Sequence, residues 1–174
     1  MRLLAEIDRT PGIPHTGRTV TREAVRAIIM EGSQLLMIHA TCDGDYKFPG
    51  GGIKKGESHF SALSREVNEE SGGRIRKLTG EYGIVVEYDR PIEKHFNVFK
   101  MTSYYYRVEV EPAFGIQHLE TYEYELGFTP EWVSIKEAIA INQTLLRDHP
   151  NRVQRWVRRE TTVLELIRTE LSGS

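Results

Sequence analysis

The chain has 174 residues, with 23 lysines and arginines against 25 aspartates and glutamates, a net charge of −2, and one cysteine, Cys42. That length fits one domain, residues 1–174, with a sizeable core. Near-balanced charge gives no sign of a polyanion-binding surface, and a lone cysteine excludes an intramolecular disulfide and fits a reducing compartment. No run approaches the roughly 18 apolar residues of a membrane helix, and Met1–Leu4 gives way at once to Glu6, Asp8 and Arg9. Neither a membrane partner nor a signal peptide is expected, and the expected location is cytoplasmic.

In chain order, residues 1–20 read as an arm of turn chemistry, with Pro11, Gly12, Pro14 and Gly17. Two apolar runs, 22–30 and 34–40, flank Glu31-Gly32-Ser33 and predict a hairpin. A glycine loop, Phe48-Pro49-Gly50-Gly51-Gly52, leads to a helix between Glu57 and Gly72, where no proline intervenes and two glycines stop it. Phe60, Leu63 and Val67 form its expected core stripe. Ile84-Val85-Val86 and residues 96–110, with Tyr104-Tyr105-Tyr106, predict strands. Residues 131–142 read as a short strand followed by a helix. A last helix, about 150–171, carries Val153, Trp156, Val157, Leu164, Ile167 and Leu171 at helical spacing. The alternation predicts an α/β protein with a mixed sheet covered by helices.

The chemistry concentrates between Gly51 and Gly72. At about 100° per residue, Glu66, Glu69 and Glu70 fall in one arc roughly 100° wide. Like charges so placed destabilise an isolated helix. A hard divalent cation reverses that penalty, because it wants several oxygen ligands. The glycine loop lets backbone approach a metal or phosphate, so a carbonyl there, at Gly50, is a further candidate metal ligand, and Gly51 is a candidate for substrate contact. Arg65 is placed to orient a carboxylate through a bidentate hydrogen bond. Glu57 is expected at the positive end of the helix.

Gly51, five residues, Glu57, seven residues, then Arg65-Glu66-Val67-Asn68-Glu69-Glu70-Ser71-Gly72 resembles the box of the Nudix hydrolase family. Its one departure is Gly73, where the family pattern has an aliphatic residue. The resemblance extends more loosely to residues 22–29, 34–38 and 46–51, and to 122–134. It implies a Nudix-type α/β/α sandwich with a mixed β-sheet. It also implies a hydrolase that cleaves a diphosphate bond in a nucleoside diphosphate linked to another moiety. Mg²⁺ or Mn²⁺ would be held by Gly50, Glu57, Glu66, Glu69 and Glu70, with Arg65 beside them. Glu70 or Glu123 would act as general base; Glu123 stands for the family's acidic loop residue, with Glu120 and Glu125 as rivals. The implied substrate is a small nucleotide, no nucleic-acid polymer is expected, and a homodimer is common among relatives.

Three further positions are candidates for substrate contact or structure. Arg26 reaches a phosphate or serves as a structural arginine. Phe48 stacks on a base or belongs to the core. The cluster Arg152, Arg155, Arg158 and Arg159 reads as a solvated face, with a partner or nucleic-acid patch as the alternative. His59 is expected to face solvent and Cys42 to be an ordinary loop thiol. A nucleotide-sensing protein of the same fold is the second functional class. The full set of box carboxylates argues against it.

Overall fold

The computed structural model describes residues 1–173. Its elements follow as β1 (Leu3–Asp8), β2 (Thr19–Glu31), β3 (Gln34–Ala40), β4 (Asp45–Lys47), α1 (His59–Ser71), β5 (Ile75–Asp89), β6 (Val98–Val110), α2 (Thr121–Glu125), β7 (Phe128–Ser134), α3 (Ile135–Asp148) and α4 (Val157–Ser172). The sheet runs β1-β5-β6-β2-β3-β4, with β7 paired to β3. Pairs β1–β5 and β2–β6 are parallel and the others antiparallel.

Strand β2 organises both faces. Its side chains alternate, as a strand's must. Val25, Ala27 and Ile29 pack with Ala62, Leu63 and Val67 of α1. Ile28 joins Tyr105, Val163, Leu164 and Ile167 in the core under α3 and α4. Helices thus cover both faces, and the fold is the α/β/α sandwich with a mixed sheet that the resemblance implies. The hairpin to β3 pairs only at Met30–Leu35 and Glu31–Gln34. Nearer its start, β2 pairs with the glycine loop instead: the N–H groups of Ala27 and Val25 donate to Pro49 and Gly51 carbonyls at 2.8 and 3.0 Å. This divergence of β3 from β2 seats the loop within the sheet.

Three expectations need correction. The arm contains a strand: β1 pairs in parallel with β5 from Leu3–Ile84 to Asp8–Tyr88, so its conformation comes from a partner some 80 residues away. The box helix begins at His59, because Ser58 caps it by accepting from the Ser61 N–H, so Glu57 lies before the cap. Phe60 is 49% exposed and does not join the core stripe.

Candidate active site

Two close approaches fix the glycine loop. A Cβ on Gly50, whose φ is 144°, would strike the Val25 carbonyl of β2; one on Gly51 would overlap the Glu66 carboxylate. The loop is therefore clamped between β2 and α1: at Gly50 backbone stands in the way and only glycine fits, while at Gly51 a Cβ would displace the Glu66 carboxylate. Gly72 ends α1 in the left-handed region at φ 72°, as a helix C-terminus favours. The departure at Gly73 also has a packing reason: the Phe114 ring lies 3.1 Å from where a Cβ would stand and occupies that space.

Arg65 is the hub of the box. Its Nε and Nη2 donate to both oxygens of Glu57 at 2.8 Å each, the bidentate pair expected of an arginine. Nη1 reaches Glu66 at 2.6 Å and Glu69 at 3.0 Å, and Nη2 also donates to the Gly52 carbonyl at 3.0 Å. Hydrogen bonding to Arg65 holds the Glu57 carboxyl down at about 2. Burial pushes Glu66 above the usual carboxylate range, against the pull of Arg65.

Glu70 is buried and has a different cation. The Lys47 ammonium pairs with its Oε1, and the Gly50 N–H donates to its Oε2 at 2.9 Å. Burial still raises its pKa to about 7, opposed by Lys47 and Gly50. The Gly50 carbonyl accepts from Arg26 Nη1 and, at 3.4 Å, from Lys47 Nζ. Lys47, which sequence reading missed, also lies 4.7 Å over the Phe128 ring. Its one trace in the sequence is a lysine set between two aromatics, Tyr46 and Phe48, directly before the loop, since a buried lysine needs a partner.

A cavity of about 790 Å³ opens on this cluster, lined by Gly51, Gly52, Glu57, Arg65 and Glu66. Glu120, Tyr122 and Glu123 of the α2 region line it from the other side. Glu123 is buried; its oxygens accept from the Glu120 N–H at 2.8 Å and the Tyr122 hydroxyl at 3.0 Å. The structure thus brings Glu123 to the box across more than 50 residues of chain, with Glu120 beside it. Glu125 does not line the cavity.

Other candidates fall elsewhere. Phe48 does not offer a face to a base: it is fully buried, edge-on to Tyr105 with centroids 5.6 Å apart. Arg26 is buried against the Gly50 carbonyl rather than facing the carboxylate cavity, with Nε 3.9 Å from Glu160. His59 is half-buried, with its Nδ1 2.7 Å from the Tyr106 hydroxyl. In the basic cluster Arg159 is fully buried, pairing with Glu87 at 2.6 Å and Glu160 at 2.5 Å.

Among the described residues no three carboxylate, imidazole or thiol groups stand close enough to cage a metal as they are. The donors present, three glutamates and a backbone carbonyl, are all oxygen and suit a hard divalent cation. Burial raises the pKa of Glu66 and Glu70, and a cation beside them would offset that loss of solvation. Binding one means that lone pairs now shared with Arg65 and Lys47 turn to the metal.

A family model described as NUDIX domain matches residues 20–158. An RNA pyrophosphohydrolase from a Nitratiruptor species is 37% identical over 85 residues, covering 47% of this chain and 54% of the relative. The chain thus spans about half the length of that curated relative. Among solved structures, a NUDIX hydrolase from Nitrosomonas europaea superimposes with a TM-score of 0.51 at 24% identity, over 71% of this chain and 79% of the other. A MutT NUDIX hydrolase from Burkholderia pseudomallei gives 0.51 at 18% identity, over 67% and 85%.

Proposed function

The chain belongs to the NUDIX family, and from that premise we propose that it is a metal-dependent pyrophosphohydrolase acting on a nucleoside diphosphate linked to another moiety. One observation carries the reading: Glu57, Arg65 and Glu66 of the box and Glu120 and Glu123 of the α2 region line one cavity floored by the glycine loop. Carboxylates so gathered, with a bare backbone beside them, suit a phosphate chain neutralised by cations.

Glu66, Glu69 and Glu70, with the Gly50 carbonyl, would hold Mg²⁺ or Mn²⁺. A cation there neutralises phosphate charge and lowers the pKa of water. Glu57, with both oxygens on Arg65, would bind the cation through water or support the loop. Arg65 keeps Glu66 and Glu69 aimed along one edge of α1. Glu123 is the better-placed general base: it lines the cavity, whereas Glu70 is buried against Lys47. Its proton comes from water attacking phosphorus in line with the departing phosphate, and the cavity's fixed charges supply most of the acceleration.

The reading includes residues 1–174 acting as one domain, a cytoplasmic setting and a homodimer. No helix among the described residues is long and apolar enough to cross a membrane. A panel of nucleoside diphosphate and triphosphate derivatives, assayed for released phosphate or pyrophosphate, tests the chemistry. Hydrolysis of at least one member is expected with Mg²⁺ or Mn²⁺, and its abolition by EDTA. Undiminished turnover in thoroughly metal-free buffer would overturn metal dependence.

A further inference from the structure

A second cavity, of about 510 Å³, adjoins the carboxylate cavity on the α4 face. The two share Arg22 and Met101, register partners on β2 and β6 that form the sill between them. A third, of about 360 Å³, continues from the second through Arg9, Gln154 and Arg155. Each has the scale of a ligand pocket, roughly 300–1,000 Å³. In a row they exceed what one nucleotide fills.

The charge of this run is one-sided. Seven arginines line the second and third cavities against three carboxylates, Glu87, Asp89 and Glu93. Arg9 and Arg159 spend their charge on Glu87 and form the floor. Arg22, Arg90 and Arg158 are exposed and have no side-chain hydrogen bond or ion pair among the described residues. Arg155 meets only Asp89, at 3.5 Å. Arg26 also lines the second cavity, and its buried Nε has no hydrogen-bond partner among the described residues, with Glu160 3.9 Å away. A net charge of −2 hides this surface, because its arginines come from the residue after β1, from β2, from the β5–β6 loop, and from the segment entering α4 and the start of that helix.

Aromatic surface alternates with the charge. Trp156 and Phe99 line the second cavity, half-buried, and Trp156 is held by its Nε1–H donating to Asp45 at 2.5 Å. Arginines tracking a backbone, with rings on which bases stack, are what single-stranded nucleic acid needs. We propose that this arginine-lined run binds the nucleotides following the first in a 5′-phosphorylated single strand, with the 5′ phosphates at the carboxylate cavity. The proposal rests on the hydrolase reading for that placement and deepens it. The substrate class is then an oligonucleotide 5′ end rather than a mononucleotide.

The test separates binding from chemistry. Fluorescence anisotropy in EDTA compares a 5′-triphosphorylated single strand of about six nucleotides, within the usual range of single-strand site sizes, with a nucleoside triphosphate across a salt series. RNA and DNA arms identify the sugar, and preference for either supports the track. The oligomer is expected to bind about tenfold or more tighter. The double variant Arg90→Ala/Arg158→Ala is expected to cut the log–log salt slope by about 1.4, the value for two lost phosphate contacts on a single strand. With metal, the ratio of kcat/KM for oligomer over mononucleotide should fall toward one in that variant. Equal binding of the two ligands, or an unchanged salt slope, overturns the track even if both are hydrolysed. Arginine-dependent oligomer binding without hydrolysis of either ligand upholds the track while the hydrolase reading fails.

Discussion

The two helical faces of the sheet carry opposite charge and use it in opposite ways. On the α1 face, Glu57, Glu66 and Glu69 share one arginine, and Glu70 is tied to one buried lysine. On the α4 face, Arg9, Arg159 and Arg26 surround Glu87 and Glu160 in a buried network that leaves other arginines free at the rim. The first arrangement is short of cations and suits a metal. The second is short of anions and suits phosphates. Strand β2 joins them: the Arg26 guanidinium, on the α4 face, donates to the Gly50 carbonyl of the loop that α1 clamps.

The faces should therefore respond differently to mutation, and the largest effect belongs to α4. Arg159→Leu leaves buried Glu160 with only the Tyr105 hydroxyl and Arg26 at 3.9 Å among the described residues, and Glu87 with Arg9 alone. Removing one partner of a buried ion pair costs about 3–5 kcal/mol. In a chain of this length that lowers Tm by roughly 10 °C. Calorimetry checks it, and a Tm within about 2 °C of wild type would mean the network relaxes instead of holding the helix.

On the α1 face the same kind of change should spare the fold and strike the reaction. Glu69 is part-exposed, and among the described residues its carboxylate bonds only to Arg65, at 3.0 Å. Glu69→Gln removes one like charge from the helix, so Tm without metal should stay level or rise slightly. Turnover should fall about 10²-fold, the upper end of the loss when support of a metal site is removed. Near wild-type kcat in this variant would remove Glu69 from the proposed ligand set.

These two faces also differ in how much of them could be read from sequence. The box lies within 23 residues, and helical periodicity projects its carboxylates onto one side without knowledge of the fold. The arginine cleft draws on Arg9, Arg22, Arg90 and Arg155, which only the sheet order brings together. Helix α2 escaped for a third reason: its five residues are too few for a period. Its trace was the reciprocal cap between Glu120 and Glu123. Of the acidic candidates after the central sheet, Glu123 was legible as a residue type, and its proximity to Glu66 was not.

A smaller effect appears where the α4 face meets β4. Asp45 is almost wholly buried; Oδ2 accepts from Trp156 and Oδ1 has no partner. Burial raises its pKa from 3.8 to about 6, against the Trp156 hydrogen bond. The native state therefore holds this proton more tightly than the unfolded chain. Stability from this group is present below about pH 4 and lost as pH rises through about 6. The loss is on the order of 3 kcal/mol. Denaturant midpoints from pH 4 to 7 should flatten in Asp45→Asn relative to wild type. Parallel curves for the two proteins would mean that Asp45 titrates normally.

The smallest effect tests which face owns Phe48. It stands directly before the glycine loop, so the α1 site has a claim on it as a base-stacking ring. Its side chain, however, is fully buried with Tyr46, Tyr105 and Leu164 in the core under α3 and α4. Phe48→Leu keeps an apolar group and loses the edge contact with Tyr105, worth about 0.5–1.5 kcal/mol beyond buried area. Tm should drop by a few degrees on the scale of about 1–2 kcal/mol. KM for nucleotide substrates should be unmoved, because no ring face reaches the cavity. A stacking role would give the reverse, a raised KM at constant Tm with a loss of about 1–3 kcal/mol in binding. Measured together on one variant, the two quantities assign Phe48 to the core, or else show that the carboxylate cavity extends behind its own loop.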